Sequence, residues 1–155
     1  MIAPGWGEFQ WGRSLCGSYG FRTPVTDWSV GDQETHSDFN RQKDNVEYAS
    51  TYALPAVGYS PSVTVIADAV LGDQTNITPF NELEGNLTAI ENCGIPLPTG
   101  WESGTMWVGG GAAPIYTDAN RWEGNPEIAM ETVERIQATK HWCGTFKCGQ
   151  GVILP

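Results

Sequence analysis

The chain has 155 residues, 40% of them hydrophobic and only 17% charged, with a formal net charge of −10. That length supports one domain with a proper core, and a chain with seven Trp does not have the aromatic-poor make-up of disorder. Between Asp44 and Asn120 there is no Lys and no Arg but there are nine carboxylates, so neither nucleic acid nor an anionic membrane is an expected partner.

Residues 1–25 are rich in Gly, Pro and aromatic side chains: Trp6, Phe9, Trp11, Tyr19 and Phe21. This composition predicts an extended N-terminal arm rather than a long regular element. Trp6 and Trp11, five apart, would fall on opposite faces of a strand and touch two surfaces. Left in water, these side chains would form an apolar patch of a size that monomers seldom carry. They are therefore the expected interface residues, with a terminal strand packed on the chain's own core as the alternative. Residues 26–155 are read as a single β-rich domain. The first twenty residues lack the basic start and apolar stretch of a secretory signal.

Residues 26–48 are polar and mixed in charge. Glu34, His36 and Asp38 alternate and would share one face of a strand. A solvated face is the expectation, with an acid/base or metal cluster as the alternative. Residues 49–72 read as β. The clearest strand is 63–71, with Val63, Val65, Ala67, Ala69 and Leu71 on one face. Residues 73–100 mix turns and short strands, with Pro96, Pro98 and Gly100 forcing an extended loop. Asn76 and Asn86 each open an N-x-Thr pattern and are read as chance sequons.

Trp101, Trp107 and Trp122 surround a triple glycine at 109–111. No Lys-Ser/Thr follows it, so it is not a phosphate loop. The three indoles are expected in the core or an interface, with a sugar-stacking platform as the alternative. Asn125-Pro126-Glu127 resembles a helix start, with an N-cap, Pro in the first turn and an acid against the dipole. It predicts one helix over about 125–140, its apolar stripe made of Ala129, Val133 and Ile136.

Cys143 and Cys148 could close a small disulfide loop. The same pair with His141 could form part of a zinc site, but zinc ligands more often use a tighter C-x2-C spacing. Free buried or disulfide-bonded cysteines are the expectation, and no metal or cofactor is. With only His36 and His141 as bases and no G-x-S-x-G or Cys elbow, no catalytic constellation stands out and an enzyme is not expected.

The fold class expected from these readings is mainly β: a sandwich or barrel of short strands, one C-terminal helix and the N-terminal arm. The opening Gly5-Trp6-Gly7 with Trp11-Gly12, the Gly/Thr/Asn-rich body and the acidic balance resemble virion structural proteins of tailed bacteriophages, such as capsid decoration or tail components. That resemblance implies a non-enzymatic structural protein located in the virion, acting through contacts between subunits as a homo-oligomer or part of a larger assembly. The alternative is an extracellular carbohydrate-binding β-domain that uses Trp101, Trp107 or Trp122.

Overall fold

The computed structural model describes residues 20–71, 77–104, 106–108 and 113–145, with side chains described up to 139. Three helical rods organise it. The first is α1 (His36–Tyr48), which passes without a break through a π-helical segment, Ala49–Ala53, into the short α2 (Leu54–Ala56). The second is α3 (Thr78–Asn92) and the third is α4 (Tyr116–Thr145). Among the described residues there is no strand, so the expected sandwich or barrel is overturned and the fold is helical.

Local chemistry explains each start. Thr35 caps α1 in a full capping box: its hydroxyl accepts from the Asp38 backbone N–H while the Asp38 carboxylate accepts from the Thr35 N–H. Pro79 sits in the first turn of α3, where its missing N–H costs nothing. At α4 the Asp118 carboxylate accepts from the Ile115 N–H at 2.9 Å, which is half of a capping box. The predicted helix at about 125–140 is therefore the middle of a longer one. Pro126 lies inside it, where it gives no N–H to the Trp122 carbonyl. Burial of Trp122, Ala129, Met130 and Val133 outweighs that lost bond.

The core lies where α1, α3 and α4 meet: Phe39, Val46, Leu83, Leu87, Ile90, Trp122 and Val133 are buried there. Its centre is aromatic. Phe80 stacks on Trp122 with centroids 5.4 Å apart and meets Phe39 edge-on, and Trp107 meets Trp122 edge-on at 5.6 Å.

The segments before and between the rods form no strand among the described residues. Their backbone is held instead by helix side chains. Among the described residues, six asparagines each bond both the N–H and the C=O of one residue in these segments. Asn45 holds Arg22 and Asn120 holds Trp28. Asn86 holds Thr64 and Asn40 holds Ala69. Asn81 holds Trp107 and Asn125 holds Glu102. A carboxamide carries a peptide's donor and acceptor on one plane, so each clamp replaces one rung of a sheet. Asn is a poor helix former, and these clamps account for its repeated use in helix interiors.

The segment 63–71 shows what this does to the strand reading. It forms no strand: Ile66 is its one buried residue, Ala69 packs partly buried against the core, and Val65 and Leu71 stand 82% and 88% exposed. The five residues expected on one face are thus not buried together. Its anchor points, Thr64 and Ala69, are an odd number of residues apart and follow two different helices, not a flat neighbour. Residues 49–53, also read as β, are the π-helical segment.

Candidate functional site

Two carboxylate–guanidinium knots tie α4 to the other helices. In the first, Arg121 forks onto Glu84, with its Nη1 2.6 Å from Glu84 Oε2 and its Nη2 on Oε1. Trp122 Nε1 donates to the same Oε1 at 2.6 Å, and Asp118 takes a further bond from Arg121. Gly104 lies against this knot: a Cβ there would fall 1.8 Å from Glu84 Oε2. The site is closed, satisfied and without room for a ligand.

The second knot is open. Arg41 donates from Nε and Nη2 to Glu123 Oε1 at 2.9 and 2.7 Å, and from Nη1 to Asp38 at 2.9 Å. Burial would raise the Asp38 carboxyl, but Thr35 and Arg41 hold it below its ordinary value. Glu123 is fully buried, and its Oε2 makes no bond of good geometry, although the Val25 backbone lies close enough to the carboxylate to lower its pKa. Burial pushes its carboxyl up, against the pull of Arg41. Beside it lie Gln42, whose amide makes no bond of good geometry, and Glu34, whose buried Oε1 makes none either. Burial pushes the Glu34 carboxyl from 4.5 up to about 7. The neighbouring Asp38 and Glu123 add to the rise, while Gln42 and Arg41 oppose it.

Glu34 also lines a groove of about 400 Å³ between residues 28–34 and the start of α4. Trp28, Val30, Pro114, Ile115, Tyr116 and Ala119 form its apolar walls. Trp28 is fixed by the Asn120 clamp, and its Nε1 is a second buried polar atom without a partner. Val30 and Ile115 are 83% and 59% exposed. The groove is thus walled mainly by apolar side chains, and Trp28 Nε1 and Glu34 Oε1 lie behind them, closed off from solvent. Burial of such groups without a bond of good geometry is costly.

The residues singled out in the sequence fall differently. Trp122 is fully buried, so it presents no face to a sugar, and Trp101 and Trp107 pack partly buried against the core. Phe21 packs on the domain itself, 6.4 Å from Tyr48, and the backbone of Arg22 is held by Asn45. Trp6, Phe9, Trp11, Tyr19 and Cys148, and the side chain of Cys143, lie outside the described residues. Asn86, in one N-x-Thr pattern, is a buried clamp. Among the described residues no group of three His, Cys, Asp or Glu is placed to hold a metal, and no helix is long and apolar enough to cross a membrane. Trp28, Val30, Ile115 and Tyr116 were missed. The available signal was a Trp and a Val in an otherwise polar loop and a Pro-Ile-Tyr before a helix, but only the fold brings the two together.

Compared with known proteins, the chain matches no family model, no curated protein and no solved structure, so the residues and their geometry carry the functional reading.

Proposed function

We propose that this chain is a non-enzymatic assembly protein, a decoration or tail component of a phage virion, that works through contacts between subunits. The observation that carries the reading is the groove beside α4. Val30, Ile115 and Tyr116 stand in water at its rim, and exposed apolar walls of this kind mark surfaces that are covered in use. The aromatic segment before Gly20 supports it from the sequence, since Trp and Tyr are enriched in interfaces and Lys, Glu and Asp depleted. The place in a virion rests on the compositional resemblance alone. Sedimentation velocity across a hundredfold range of concentration tests assembly. A mass that grows with concentration, or a chain that binds only to capsid shells, is the expected result. A monomer at every concentration that is retained on polysaccharide would replace this reading with the carbohydrate-binding one.

A further inference from the structure

We infer that the groove between residues 28–34 and the start of α4 is the receptor for the aromatic N-terminal arm, residues 1–19, of a second copy of the chain. This rests on the assembly reading above and adds where the contact lies.

Size is the first argument. A groove of about 400 Å³ is at the low end of ligand sites, which run from about 300 to 1,000 Å³. It suits one or two inserted side chains rather than a large ligand. Chemistry is the second. An indole brings apolar faces that match the walls made by Val30, Pro114, Ile115 and Tyr116. The arm supplies two: Trp6 and Trp11 each have glycine beside them, Gly5-Trp6-Gly7 and Trp11-Gly12, which lets the backbone approach closely.

Charge is the third argument. Whole copies at −10 repel one another. The arm carries one acid, Glu8, and one base, Arg13, and is neutral. The groove lining carries only acidic charge, from Asp32 and Glu34. Arg13 therefore meets a rim of opposite sign, and the contact avoids the repulsion that the rest of the surface would meet. Reach is the fourth. Nineteen residues span up to about 60 Å when extended, whereas a folded chain of this length has a radius of gyration of about 15 Å. The arm is long enough to leave its own domain, which is tied down from Arg22 onward by Asn45.

The test uses two variants of the full chain, W6A/W11A to disable the arm and Ile115→Glu to block the groove. Ile115 is exposed, so the fold should tolerate the change, and thermal melts check both variants. Each alone should self-associate at least tenfold more weakly than wild type in sedimentation. Mixed one to one, they should form a heterodimer, because the intact arm of Ile115→Glu meets the intact groove of W6A/W11A. Recovery of that dimer supports the proposal. A mixture that stays monomeric overturns it. So does an Ile115→Glu chain that assembles like wild type while W6A/W11A does not: the assembly reading would then survive and the groove would not be the receptor. A wild-type chain that is monomeric throughout would instead sink the assembly reading itself, and the groove proposal with it.

Discussion

Glu84 accepts from both amino groups of Arg121 and from Trp122, and Gly104 seals it from above. Glu34, at the mouth of the second knot, has a buried oxygen with no bond of good geometry; the Gln42 amide lies close enough to lower its pKa but is poorly aligned, and one Glu123 oxygen is likewise poorly satisfied. Both are carboxyls held near α4 and near an arginine. The difference is one of completion. A closed network of charge-assisted bonds fixes the helices. A half-satisfied one costs stability. The first site holds the helices together with every bond made, and the second leaves part of its bonding capacity unused.

The largest expected effect tests the closed site. Arg121→Ala leaves Glu84 buried and unpaired, and should cost about 3–5 kcal/mol in chemical denaturation. A loss below about 1 kcal/mol would mean that Glu84 reaches water, and the contrast with Glu34 would collapse.

The clamps come next. Asn45→Ala strips partners from the Arg22 N–H and C=O and should cost about 2–4 kcal/mol. Asn45→Asp is the sharper variant, since a carboxylate accepts but cannot donate. It should recover part of the loss and no more. Equal behaviour of the two variants would show that the clamp does not depend on the amide pair.

Glu34 gives a pH-dependent effect of opposite sign. It ionises at about 7 in the folded chain, against an ordinary value of 4.5. Between those values the folded chain holds a proton that the unfolded chain has lost, so stability falls as pH rises through that window and stays lower above it. Glu34→Gln should therefore gain about 1–3 kcal/mol over wild type at pH 8 and almost nothing at pH 4.5. Denaturation curves at both pH values decide it, and an unchanged difference between them would place Glu34 in water.

The smallest effect belongs to Asp68, a 70% exposed partner of Lys43. Its carboxyl is held below the ordinary value by the hydrogen bond from Lys43 and by the charge behind it. Asp68→Asn should cost less than about 1 kcal/mol, because solvent screens such a pair. Melting in high salt should remove most of that difference.

Parts of this architecture were readable in the residues. The T-x-x-D of Thr35 and Asp38 is a capping signal, and Phe80, Leu83, Leu87 and Ile90 repeat at helical spacing. Both signals were masked. The buried face of α1 includes Gln42, Lys43 and Asn45, so its 3.6-residue pattern is not apolar. In α3, Gly85 and three asparagines, Asn81, Asn86 and Asn92, weaken the helical reading. The segment 63–71 was read as a strand, but among the described residues there is no sheet, and its backbone bonds go to side chains far away in sequence. The groove was not legible, since its walls are joined only when Asn120 on α4 takes hold of Trp28, 92 residues earlier.

That clamp and its five counterparts have a consequence for motion. A sheet shields its amides in runs, whereas a chain hung from single asparagines is shielded at points. In hydrogen–deuterium exchange the amides of Arg22, Trp28, Thr64, Ala69, Glu102 and Trp107 should stand as slow sites among fast neighbours. Each such point lets go on its own, so a segment can peel from its helix one residue at a time while the rods beneath stay whole.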